Sequence, residues 1–386
     1  MTTILARLFA LAIAVTLAAS PATPKEMWVF FGTHVDQPGH GFSVARFDTR
    51  TGALTKLEFL QQSADPGFFV IARDGRHIYT ANEVDTYHGQ PTGFLSAYAV
   101  DPATAQMTLI NEQPSAGAGP AYVSLDRTGR YLFVANYAGG TIAAFALNPD
   151  GGIGRRTAFF QHTGKSVNPA RQNAPHPHSI RVDPTNHFAL VPDLGLDKIF
   201  IYRFDASDGS LTPNDPPFAT VAPGSGPRHL DFDPAGRFVY VMNEMAGKVT
   251  VFAWDSSHGA LTEVQTISSL PEGFTGTNTS AEIRVHPSGR FLYCTNRGDN
   301  SIAVFKVNSA SGRLTFIQRV PTQGKMPRNF DFDPTAHWLL VANHDSDNVV
   351  LFKINLATGK LTPQGAPVSV PMPFAVRFLP IESKPR

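Results

Sequence analysis

The chain has one cysteine in 386 residues, so no internal disulfide can form, and Cys294, set in an apolar stretch, is expected as a small buried core residue. No Cys-x-x-Cys-His run is present, which disfavours a haem-carrying electron-transfer protein. Charge of one sign is not in excess either. Lys and Arg total 32 against 31 Asp and Glu, with no basic block, so nothing attracts nucleic acid or anionic lipid and nucleic acid is not an expected partner. Long apolar runs are scarce. The 12-residue stretch LFALAIAVTLAA after Arg7 is too short to span a bilayer comfortably, and small residues and prolines follow it. It reads as a cleaved secretory signal, with residues 1–26 as signal and linker, and implies a secreted or periplasmic protein. An uncleaved anchor, or a misassigned start and a cytoplasmic location, is the alternative. Beyond it no stretch suits a membrane span, and no long amphipathic helix is evident.

What is present is repetition. An apolar strand ending on Asn, Asp or Thr, then a turn and a second apolar strand, returns seven times, at Thr33, Asn82, Asn136, Asp193, Asn243, Asn296 and Asn343. The steps of 47 to 57 residues match the period of propeller blades. Each full unit opens on Pro, continues as an alternating strand, turns on Gly-Arg or its equivalent, and runs through the anchored strand to another ending near Phe. Period-two alternation with Gly, Asn, Asp and Pro at the turns is the antiparallel strand signal, and four short strands make a blade. The anchors themselves are expected as turn formers whose side chains bond nearby backbone. The array begins at WVFFGT, a second strand, and finishes at FAVRFLP, a first strand. One blade built from both termini would close the ring without an open sheet edge. The expected fold is all-β, a seven-bladed β-propeller over residues 27–386.

Function is sought where the repeat is broken, because a residue that differs between blades at an equivalent position is not needed to build a blade. After the opening Pro stand Gly67, Ala121, His178, Arg228, Ala281, Arg328 and Phe374; the next slot includes His229 and Glu282. After the anchors stand His34, Glu83, Tyr137, Leu194, Glu244, Arg297 and His344. In an antiparallel hairpin the start of one strand lies beside the end of its partner, so these slots share one end of every blade. His178, Arg228, Glu244, Glu282, Arg297 and Arg328 are thereby placed around one mouth of the channel, with Glu83 and His344 as outer members. Carboxylates, arginines and a histidine offer a proton acceptor for water and bidentate holders for an anionic substrate and its oxyanion. The competing reading is that these charges only pair with one another across the channel. His286, His229 and Arg284 are expected as blade-packing or solvent-facing residues.

The runs NPARQNAPHPHSIRVDP (168–184), VPDLGLDKIFIYRFD (191–205), GSGPRHLDFDPAGRFVYVMNE (224–244) and SAEIRVHPSGRFLYCTNRGDNSIAVF (280–305) resemble the seven-bladed lactonase family, which includes propeller-type 6-phosphogluconolactonase and the fungal carboxymuconate cyclases. The resemblance covers essentially the whole chain after the leader. It implies lactone ring hydrolysis or its reverse on a small anionic sugar-type or muconate-type lactone, without an organic cofactor. Carried over by motif, the catalytic set is His178 in PHPHS, with His176 as rival, Arg228 in GPRH, Glu244 in NE and Arg297 in NRG; His176, together with Glu282 and Arg328 from the broken slots, falls to substrate binding. Either Glu244 or His178 is the base; two adjacent arginines would depress the carboxyl and leave the chemistry to His178. The two histidines of PHPHS are expected to point their rings apart, and no third ligand follows closely, so no metal is assigned. An exported protein would not meet 6-phosphogluconolactone, which is made in the cytoplasm. The reading from a different class is a non-catalytic extracytoplasmic propeller that binds a ligand or protein partner. Substrate identity, reaction direction and oligomeric state leave no trace in the sequence.

Overall fold

The computed structural model describes residues 25–33 and 41–382. The expected leader, apart from its last two residues, and His34 lie outside the described residues. Seven four-stranded antiparallel sheets follow one another around a ring. Blades 2 to 7 are continuous in sequence, with first strands Pro66–Ile71, Pro120–Leu125, Arg181–Val182, Pro227–Phe232, Thr279–Val285 and Pro327–Phe332. Blade 1 takes Glu26–Thr33, Gly41–Asp48 and Leu54–Gln62 from the start of the chain and its innermost strand, Pro373–Pro380, from the end. Phe30 pairs with Arg377 and Trp28 with Leu379, which is the closure expected from the two incomplete terminal units. The one helical element among the described residues is a three-residue 3-10 turn, His344–Ser346.

The turn chemistry explains why the units fold alike. After the first strands of blades 3, 4, 5 and 7 an aspartate closes the hairpin by accepting two successive amides: Asp126 from Arg130 and Tyr131, Asp183 from His187 and Phe188, Asp233 from Arg237 and Phe238, Asp333 from His337 and Trp338. The anchors work at longer range than expected. Asn136, Asn296 and Asn343 donate through Nδ2 to the carbonyls of Ser115, Ser269 and Thr322, in the crossovers arriving from the preceding blades. They stitch blade to blade, because each anchored strand end abuts the incoming crossover.

The apolar core is distributed between adjacent blades. Tyr240, Met242 and Val251 of blade 5 meet Ile283, Leu292, Cys294 and Phe305 of blade 6, and Tyr293 and Val304 of blade 6 meet Phe330, Leu339 and Phe352 of blade 7. Each such side chain contributes about 1.5–3 kcal/mol by burial. Cys294 is fully buried, as expected. Polar aromatic tips cross the seams: Tyr240 to the Gly312 carbonyl, Tyr293 to Gly359, Trp338 to Thr49 and Trp28 to Pro102. The last two flank the closing blade.

First strands of neighbouring blades contact one another and line the central channel. Their alternate residues form layers. His178, Arg228 and Arg328 stand at one mouth, His229 and Glu282 one residue further in, and Arg181, Asp231, Arg284, Asp331 and Arg377 toward the other mouth. The expectation that His229 and Arg284 pack in blades or face solvent is therefore corrected: their alternation faces the channel.

Candidate active site

Blades 4, 5 and 6 bring three of the expected residues, His178, Arg228 and Arg297, together around a fourth, Glu244, which is 3% exposed. The crossover and hairpin geometry does the positioning. The Glu244 amide donates to the Gly226 carbonyl, holding the end of the second strand against the start of the first. Arg297 donates through Nε to the Thr279 carbonyl and through Nη2 to Ser280, which leaves Nη2 2.8 Å from Glu244 Oε2. Arg228 Nε lies 3.0 Å from the same oxygen, but it is not aligned for a hydrogen bond and its Nη1 is buried without an acceptor. His178 Nε2 lies 3.9 Å from Oε2.

Glu244 Oε1 is taken by a residue that the repeat arithmetic passes over. Arg171 donates to it at 2.7 Å and also reaches the Tyr137 hydroxyl. Arg171 rides on residues 162–180, the longest crossover in the ring, which reaches the first-strand position only at its end, around His178. Its unusual length is the signal that could have found it. Three ties hold this loop down: Ser166 to Asp197, Gln172 to the Leu194 carbonyl, and Asp193 accepting the His176 amide. Gly195 lies beneath it, where a Cβ would come within 1.9 Å of the Ala174 carbonyl. Asp193, standing where most blades have Asn, also bonds buried His162, which in turn meets the Tyr202 hydroxyl.

The histidine pair does not point apart as expected: residues two apart in an extended segment share a face. Pro177 makes only an isolated bridge to Asp193, so the segment is no regular strand. Both rings pack on Tyr137: His176 stacks at 4.5 Å and donates through Nδ1 to the Tyr137 carbonyl, while His178 meets Tyr137 edge-on at 5.1 Å. Glu282 enters the channel one residue beyond this cluster. Its carboxylate faces His229 Nδ1 at 3.3 Å and accepts from Asn329, with no contact to Arg228 or Arg297. Arg328 stands across the mouth, its guanidinium 3.8 Å from the centre of the Phe374 ring, and Glu83 and Arg297 lie within electrostatic reach. Gly67 leaves the space that Glu83 occupies. His344 packs edge-on to Phe374.

Electrostatics separates the two candidates for the base. Burial would raise the Glu244 carboxyl, but Arg297, Arg228 and Arg171 outweigh it and hold the group at about 2. Burial, then the charges of Arg228, His229 and Arg297, push His178 well below 6.5, so its imidazole is neutral at physiological pH. Burial and Arg228 bring His229 down to about 4. Burial and Arg297 likewise pull Arg228 below the usual arginine range. Among the described residues no three His, Cys, Asp or Glu side chains are grouped to hold a metal ion.

The chain matches the model of the family described as "Lactonase, 7-bladed beta-propeller" over residues 28–378. A 6-phosphogluconolactonase of Bacillus subtilis (strain 168) is 35% identical over 350 residues, covering 91% of this chain and 97% of that protein. One from Formosa agariphila is 34% identical, covering 80% of this chain and 87% of its own. Among solved structures, the periplasmic gluconolactonase PpgL of Pseudomonas aeruginosa superposes with a TM-score of 0.86 at 33% identity, over 92% of this chain and all of that one, or 100%. Fold, length and sequence agree: the chain belongs to the seven-bladed β-propeller lactonase family.

Proposed function

We propose that this protein hydrolyses a small anionic lactone of sugar type at the channel mouth around Glu244. The observation that carries the reading is the convergence of Arg171, Arg228 and Arg297 on the single carboxylate of Glu244, beside the neutral imidazole of His178. Three positive charges against one negative leave a buried excess that a substrate carboxylate, phosphate or developing oxyanion can neutralise.

In the proposed reaction His178 accepts a proton from water as the oxygen attacks the lactone carbonyl. Arg228 and Arg297 hold the oxyanion. The ring C–O bond then breaks, and the imidazolium returns its proton to the departing alkoxide, giving the hydroxy acid. Glu244, held near 2 by its arginines, is a poor base and serves to orient them. Free imidazole here is also weakly basic, because cations surround it. An anionic substrate cancels part of that field and raises the His178 pKa when it is needed.

Export of the chain, proposed from the apolar run after Arg7, favours an unphosphorylated sugar lactone over 6-phosphogluconolactone. The gluconolactonase PpgL, named periplasmic, supports the same choice. The test is turnover by the purified protein on a panel of sugar and muconate-type lactones, phosphorylated and not, with Glu244→Gln as control. Turnover lost in the control identifies the site and its anion preference. No turnover on any lactone, with the corresponding acids still bound, would replace the enzyme with a binding propeller.

A further inference from the structure

The opposite mouth of the channel breaks the repeat a second time. At the turn after each first strand, blades 4, 5, 6 and 7 carry Pro184, Pro234, Pro287 and Pro334, whereas blades 2 and 3 carry Arg73 and Arg127. Both arginines are exposed, and neither guanidinium has a hydrogen bond or ion pair among the described residues. In the same two blades the channel layer beneath them is uncharged, Val70 and Ser124, over a stacked pair, Phe68 and Tyr122, at 4.1 Å. The small residues leave a cavity of about 310 Å³.

The far wall of that cavity is also arginine. Arg181 pairs with Asp231 at 2.8 Å and Arg284 with Asp331 at 3.2 Å, while Arg377, 3.9 Å from Asp331, has no acid of its own. Asp231 further accepts the Val285 amide, and Asp126 at the rim is occupied by its turn amides and Thr128. Arg284 Nε is buried without an acceptor. Burial and the charges of Arg73 and Arg181 pull Arg127 below its usual range, so these cations crowd one another. Five guanidinium groups thus face a polar cavity whose two paired acids are already engaged.

We propose that this second mouth binds a small multivalent oxyanion of phosphate or carboxylate type, with Arg73 and Arg127 closing over it and Arg284 and Arg377 beneath. The site is separate from the Glu244 mouth, and it stands or falls independently of the lactonase reading. Multidentate guanidinium contacts favour a ligand with two or more acidic groups.

The test is calorimetric titration at low salt with inorganic pyrophosphate and with citrate, on the wild-type chain, on R73Q/R127Q and on R171Q. At least one anion should bind wild-type protein in an event that R73Q/R127Q weakens tenfold or more and R171Q leaves intact, and which anion binds distinguishes phosphate from carboxylate recognition. Both substituted arginines are exposed, so the double variant should keep wild-type circular dichroism and lactone turnover. The proposal is overturned if neither anion binds, if R73Q/R127Q binds as tightly as wild type, or if R171Q abolishes all binding and so assigns it to the Glu244 mouth.

Discussion

The two mouths of the channel are built by the same strands three residues apart, yet they treat buried charge differently. Around Glu244, Arg171, Arg228 and Arg297 share one carboxylate, and Arg228 keeps a buried donor unpaired. At the other end Arg181 and Arg284 each have an aspartate, Arg377 shares that of Arg284 at 3.9 Å, and the rest of the surplus sits in the exposed Arg73 and Arg127. A buried, underneutralised cluster is costly to fold and is kept where an anion must be bound out of water. A paired layer with a solvated rim costs less and binds through charges that salt screens.

Removing the shared carboxylate should break this comparison most severely. Glu244→Gln leaves Arg228 and Arg297 buried without the carboxylate they share, and loss of a buried partner costs about 3–5 kcal/mol. If Glu244 orients the oxyanion holders, kcat/KM should also fall by about 10³. Urea unfolding and turnover on the same preparation check both, and a stable, active Glu244→Gln would refute the clustered site.

Acid should reproduce part of that loss. The Glu244 carboxyl lies at about 2 against an ordinary 4.5, so its contribution is complete above pH 4.5 and lost as pH falls toward 2. That difference corresponds to roughly 3 kcal/mol. The histidines act at higher pH. His178 and His229 are depressed below 6.5, so as pH drops through 6.5 the unfolded chain takes up protons first and stability begins to decline. Unfolding free energy should therefore fall in two stages between pH 7 and 3. In catalysis kcat/KM, which reports the free enzyme, should stay flat to below pH 6.5, whereas kcat should show a higher apparent pKa because bound anion relieves His178. Equal pKa values in the two profiles would exclude substrate-raised basicity.

The paired mouth should be more tolerant. Asp331→Asn removes the partner of Arg284 and weakens that of Arg377, and should cost about 1–3 kcal/mol in urea unfolding. Turnover should remain within about twofold, since no residue around Glu244 contacts Asp331. A large catalytic loss would mean that the two mouths are coupled.

How much of this was legible in sequence follows from what repeats. Seven anchors, spaced 47 to 57 residues apart, and two incomplete ends specified the ring and its closure, because every blade must solve the same turn and strand problem. Comparing equivalent slots located His178, Arg228, Glu244 and Arg297, since strand ends are fixed by register. The same arithmetic located Glu282 by its Cα only. Its side chain is directed by His229 and Asn329, neighbours from adjacent blades that a single unit does not reveal. Arg171 belongs to no slot, because the crossover that carries it is an insertion. The anchors' partners lie in the preceding crossover, which also escapes a reading made one unit at a time.

Arg171 supplies the mildest test and separates positioning from architecture. Its side chain is 38% exposed and sits on a loop held by other ties, from Ser166, Gln172 and His176, so Arg171→Gln should change stability by about 0–1 kcal/mol. It nevertheless donates to the one carboxylate that the buried arginines share. Losing it should therefore act on the substrate's anionic end, raising KM about tenfold with kcat nearly unchanged, as expected when binding common to ground and transition states is removed. Lysine at this position keeps the charge but not the planar guanidinium whose Nη2 donates to both Glu244 and Tyr137, and should recover only part of the affinity. A fall in kcat with unchanged KM would instead assign Arg171 to the oxyanion and move the centre of the reaction outward, toward the loop.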